Sequence, residues 1–101
     1  MKLGNRIKEL RESQGLLQRQ LSAQLEIDTP MFSKIERGER RAKREQVLKI
    51  AELLKADVKE LLALWLGDQI MEIVTDEDQA MQALKIAEEQ IEYRKKNNST
   101  K

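Results

Sequence analysis

Apolar residues recur along this chain in short sets at helical spacing, and each set is closed by a polar or glycine-containing break. Leu3, Ile7 and Leu10 stand at i, i+4 and i+7 and predict a first helix that Gly15 ends. Leu21 and Leu25 mark the buried face of a second helix from about Gln18 to Leu25. Phe32 and Ile35 mark that of a third, from about Thr29 to Arg37. The basic segment GERRAKRE follows as a loop beginning at Gly38, and Val47, Leu48, Ile50, Ala51 and Leu54 then outline a fourth helix. Asp57 can cap a fifth helix that carries Val58, Leu61 and Leu62.

Further on, ALWLGDQIMEIV is strongly apolar. Gly67 either separates it from the fifth helix or lies inside one longer helix, at about 1 kcal/mol relative to alanine. Thr75 followed by Asp78 has the spacing of a capping box, with Asp in place of Glu or Gln, and predicts a final helix from about Asp76 to Lys95. In that helix Ala80, Leu84, Ala87 and Ile91 recur at i, i+4, i+7 and i+11, a stripe suited to a dimer contact or to packing within the chain. Trp65, Ile70, Ile73 and Val74 add a second apolar patch, for which core or interface packing is the expected use. The predicted organisation is a domain over 1–66, a helical extension over 67–96 that serves dimerisation, and a disordered tail over 97–101.

The run from Gln18 to Gly38, QRQLSAQLEIDTPMFSKIERG, carries most of the information. Asp28 is a good N-cap for the third helix, and Pro30 falls in that helix's first turn, where a missing N–H costs little. Gly38 sits just past the last apolar position, where a closing glycine belongs. Two short amphipathic helices with so brief a break between them form the layout of a helix-turn-helix, whose second helix usually enters the DNA major groove.

Composition narrows the alternatives. The chain has 101 residues, aromatics at 3%, a single proline and no cysteine, which favours helices and excludes disulfides and thiolate metal sites. Histidine is also absent, which removes the commonest general base and metal ligand, so neither an enzyme nor a cofactor is expected. The acidic cluster Asp76-Glu77-Asp78 reads as a helix-dipole partner and not as a metal site. No apolar run reaches the length of a membrane span, and a cytoplasmic location is expected. The net charge of +1 hides an asymmetry. Residues 1–49 carry 12 Lys/Arg and 7 Asp/Glu, whereas residues 50–101 carry 7 and 11. A basic half can face phosphate while an acidic half faces away.

From about Gly4 to Leu62 the chain resembles the Cro/C1-type (XRE) helix-turn-helix regulators, on RIKELRESQGL, QRQLSAQL, SKIERGER and VLKIAELLKADVKELL in that order. The resemblance implies an all-α, five-helix, phage-repressor-like DNA-binding domain, here with a C-terminal helical extension. It implies that Gln18 touches a DNA phosphate and that Thr29, Pro30, Ser33 and Lys34 meet base edges. It also implies that Ser22 sits where the two helices cross, and that Arg11 and Glu36 form a buried ion pair tying the first helix to the third. Two positions depart from the family pattern. Glu26 stands where glycine is frequent in the turn, and Leu17 stands where Ser or Thr often caps the second helix. The residues themselves agree with the resemblance. With Phe32 and Ile35 inward, Ser33, Lys34 and Arg37 turn to the other side, where Lys34 can donate to guanine O6 or N7. Arg37, Arg40, Arg41, Lys43 and Arg44 suit phosphate contacts. The expected function is that of a transcriptional regulator, such as a repressor or a restriction–modification controller, binding double-stranded operator DNA as a homodimer. The competing expectation is an antitoxin-like module whose acidic half neutralises a protein partner while its DNA binding is autoregulatory.

Overall fold

The computed structural model describes residues 2–98, which contain six helices and no strand. In chain order they are α1 (Lys2–Ser13), α2 (Gln18–Leu25), α3 (Thr29–Glu36), α4 (Arg44–Leu54), α5 (Val58–Val74) and α6 (Ala80–Asn98). The chain divides into two compact units, Met1–Ile70 and Met71–Lys101.

The first unit holds the core. Leu3 and Ile7 from α1, Leu21 from α2, Phe32 and Ile35 from α3, and Leu61 from α5 are all buried. They close on a face of α4 formed by Val47, Ile50, Ala51 and Leu54. Phe32, Ile7, Ile50, Leu54, Leu61 and Val47 are the largest of these side chains that are fully enclosed. Each contributes about 1.5–3 kcal/mol by leaving water. Leu48, read from the pattern as part of the α4 face, is turned outward and 41% exposed.

Local chemistry sets the helix ends. Gly15 takes a left-handed conformation (φ 67°), and the Leu16 N–H reaches back to the Arg11 carbonyl at 3.0 Å. The same closure ends α2 at Glu26 (φ 58°) and α4 at Lys55 (φ 54°), two positions without glycine. A left-handed conformation costs a residue with a side chain about 1–2 kcal/mol, so both positions carry mild strain that glycine would avoid. Leu17 supplies no side-chain cap to α2, and its own N–H is taken by Gln20 Oε1 at 2.6 Å. Asp28 caps α3 by accepting from the Met31 N–H at 2.7 Å, and Asp57 accepts from the Lys59 N–H at 2.9 Å at the start of α5.

The C-terminal half departs from the sequence pattern in three respects. Gly67 is interior to α5, so the helix runs through the boundary expected between residues 66 and 67. Thr75 does not cap α6, because its hydroxyl donates to the Met71 carbonyl and so belongs to the end of α5. Asp76 is left-handed (φ 65°), and the chain turns through Glu77–Gln79 before α6 begins at Ala80. The acidic cluster thus lies in a turn, not in the first turn of a helix. Of the tail expected over 97–101, Asn97 and Asn98 are helical, and 99–101 lie outside the described residues. No residue of α6 is buried.

Two glycines give opposite expectations. A Cβ on Gly4 would stand 2.2 Å from the Glu36 carbonyl oxygen, because α1 passes directly against the last turn of α3. Gly4→Ala should therefore destabilise the fold by about 1–3 kcal/mol through forced displacement of backbone. A Cβ on Gly67 meets nothing within 4 Å, so Gly67→Ala should stabilise by about 1 kcal/mol through helix propensity alone. Denaturant melts of the two variants against the parent protein check both signs.

Candidate nucleic-acid interface

The orientation of α3 is fixed by what it buries. Phe32 and Ile35 enter the core, and Glu36 is buried beside them. Helical geometry then turns Pro30, Lys34 and Arg37 outward, and all three are exposed. Ser33 is partly buried at the edge of that face, and Arg40, Arg41 and Lys43 are exposed on the connection to α4. The residues expected to meet base edges and phosphates are thus largely gathered along one side of α3 and the segment that follows it.

Behind this face lies a buried polar centre. Arg11 Nε donates to Glu36 Oε2 at 2.7 Å and Arg11 Nη2 to Glu36 Oε1 at 3.1 Å, a two-pronged pair between α1 and the end of α3. Arg11 Nη1 donates to the Leu16 carbonyl at 2.8 Å, fixing the α1–α2 connection to the same guanidinium. The hydrogen bonds and charge of Glu36 hold the Arg11 guanidinium above its already high ordinary pKa, against an opposing burial penalty. No buried side-chain polar atom among the described residues lacks a hydrogen-bond partner.

Two residues expected at DNA are engaged within the protein. The Gln18 amide donates to Glu36 Oε1 at 2.9 Å, so its side chain completes the buried centre from the first position of α2. The Thr29 hydroxyl lies 3.1 Å from that of Ser22, where α2 and α3 cross. Arg37 also has local partners. Its Nη1 donates to Ser33 Oγ at 2.6 Å and its Nε to Glu39 Oε2 at 2.6 Å. The hydrogen bond from Arg37 and then its charge hold the Glu39 carboxyl below the usual carboxylate range, with Lys34 adding to the effect.

The sequence reading missed three supports of this face. Gly4 permits the close contact of α1 with the last turn of α3. Asp68, buried on α5, accepts from the Lys2 and Leu3 N–H groups at 3.0 Å each and so caps α1 from a distant part of the chain. A lone carboxylate inside the apolar run LWLGDQIM was the available signal. Trp65 is partly buried, packs against the core and donates from its indole N–H to the Ala42 carbonyl at 2.7 Å, which ties down the middle of the basic loop. That places Trp65 within the first unit. Of the other residues expected at a dimer contact, Ile70, Ile73, Ala87 and Ile91 are exposed, while Val74, Ala80 and Leu84 are partly buried.

Among the described residues, no group of three or more His, Cys, Asp or Glu is placed to hold a metal ion. No described helix is long and apolar enough to cross a membrane. The buried centre gives a direct test. Arg11→Ala or Glu36→Ala should each destabilise by about 3–5 kcal/mol, because each strands its partner charge. Arg11→Met combined with Glu36→Leu should cost clearly less than the sum of the single substitutions. Denaturant melts of all three variants check this, and two mild single substitutions would mean that the pair carries little.

A helix-turn-helix domain family model matches residues 2–64, more than half of the chain. Neither the comparison with curated proteins nor that with solved structures finds a match. The matched span begins with α1, contains the α2–turn–α3 unit whole and ends within α5. The chain belongs to the helix-turn-helix domain family, whose fold suits DNA binding.

Proposed function

We propose that this protein is a sequence-specific double-stranded DNA-binding transcriptional regulator of the Cro/C1 kind, with a phage-repressor-like arrangement of α1–α5. It works in the cytoplasm, as a homodimer, and performs no chemistry of its own. The observation that carries this reading is the division of α3. Phe32, Ile35 and Glu36 are buried, while Pro30, Lys34 and Arg37 face solvent ahead of a basic loop. Such a helix can enter the major groove with Lys34 toward base edges, and the loop cations can follow the phosphates. Pro30 has no N–H and would pack against sugar or a thymine methyl. Gln18, held by Glu36, positions the start of α2, whose N-terminal N–H groups suit a phosphate.

One such unit reads only a few base pairs, so specific binding calls for two half-sites about one helical turn apart. In this reading the extension supplies the second copy's contact, since no residue of α6 is fully buried. An antitoxin-like use of α6 is the competing reading, and the solution mass of the protein alone separates the two.

Lys34→Ala should weaken binding to a preferred site by about 1–3 kcal/mol and relax specificity at one position per half-site. Glu39→Gln should act in the opposite direction. Without that carboxylate Arg37 is released toward phosphate, binding tightens by about twofold to fivefold and the salt slope steepens by about one unit. Fluorescence anisotropy titrations at several salt concentrations measure both. A chain stopped after Thr75 keeps every buried residue and should be a folded monomer with near-nonspecific affinity. A truncated chain that stayed dimeric and bound normally would remove the extension from the account.

A further inference from the structure

Helix α6 carries an apolar arc whose chemistry fits a copy of itself in one direction only. At 3.6 residues per turn, Ala80, Leu84, Ala87 and Ile91 fall within about 60° of one another and form a narrow stripe, whereas Ile86 and Tyr93 lie more than about 100° from its centre line, on another side of the helix. Of the stripe, Ala87 is exposed and Ile91 is 58% exposed, while Ala80 and Leu84 are partly buried. Arg94 borders this stripe on one side and Lys95 and Glu88 on the other, and the remaining charged residues of α6 lie farther round the helix. The two ends of this unit differ in sign. The turn entering α6 is Asp76-Glu77-Asp78, and its last turns carry Arg94-Lys95-Lys96.

We propose that two copies of the chain pair through α6 in antiparallel orientation, with Ala80 against the partner's Ile91 and Leu84 against the partner's Ala87. This rests on the dimeric reading above and adds to it the direction and register of the contact. In that register each layer sets a small side chain against a large one, which fills space evenly. A parallel pair would instead set Ala80 on Ala80 and Ala87 on Ala87, leaving gaps between layers of paired Leu84 and Ile91. Charge favours the same direction. The antiparallel pair brings the Arg94–Lys96 end alongside the partner's acidic turn, whereas a parallel pair would set Arg94 on Arg94 and the acidic turns on each other. The opposed helix dipoles add to this preference.

The absence of cysteine from the sequence makes the register directly readable by disulfide trapping in the full chain. Ala80→Cys and Ile91→Cys are oxidised separately and as an equimolar mixture, with helicity and solution mass recorded for each. The expected result is a reducible cross-linked dimer in the mixture and almost none in either variant alone. Efficient cross-linking of a single variant with itself would show a parallel pair and overturn the proposal. So would a dimer by mass that cross-links in no combination, which would leave the dimeric reading standing. A parent protein that is monomeric by mass would overturn both. As a second readout, Arg94→Glu with Lys95→Glu should raise the dimer Kd about tenfold at low salt. Adding Asp76→Lys and Glu77→Lys to the same chain should restore it, whereas in a parallel pair the first two changes would leave the Kd nearly unmoved.

Discussion

The exposed face of α3 depends on the Arg11–Glu36 pair. Glu36 closes α3, Arg11 comes from α1, and the same two side chains collect the Leu16 carbonyl and the Gln18 amide. One buried centre therefore fixes three elements: the first helix, the connection that follows it and the start of the second. A buried ion pair gives little net stability over an apolar replacement. What it adds here is a unique register, because Glu36 can be satisfied only when α3 ends at that point against α1. Gly4 acts at the same junction, letting α1 lie against the Glu36 carbonyl. The rotation of α3 about its axis, and hence which side chains face outward, follows from these contacts together with Phe32 and Ile35.

The second set of constraints comes from α5. Its Trp65 holds the Ala42 carbonyl at the centre of the basic connection, and its Asp68 caps α1. Both residues lie beyond the last position at which the sequence resembles the family. The longer α5 thus fixes the loop cations and the first helix, and the first unit depends on residues up to at least Asp68. Placing a carboxylate in an apolar run is costly unless it finds donors, and two helix-terminal N–H groups are suitable donors for it.

Much of this was legible because local signals agreed with one another. Asp28, Pro30 and Gly38 bracket α3, and the spacing of Phe32 and Ile35 assigns its inner face, so Lys34 and Arg37 could be placed outward from periodicity alone. The Arg11–Glu36 contact joins residues 25 apart in sequence, and the family resemblance, not spacing, suggested it. Gly4 and Asp68 were not legible, since each acts on backbone that is distant in sequence. The Gln18–Glu36 contact was not legible for a related reason, because an amide near a helix start suits a phosphate and a buried carboxylate equally well. At Thr75 a capping pattern gave way to a hydroxyl-to-carbonyl bond at the end of the preceding helix, and a left-handed Asp76 moved the start of α6 to Ala80.

The central claim is that this centre presents α3 for specific reading of duplex DNA. The most direct measurement is repeated selection of bound sequences from a random duplex library by the full-length protein. The account predicts enrichment of an inverted repeat whose half-sites are centred about one helical turn apart, with guanine recurring at one position in each half. Enrichment of no sequence, at salt low enough for nonspecific binding to be measurable, would contradict it.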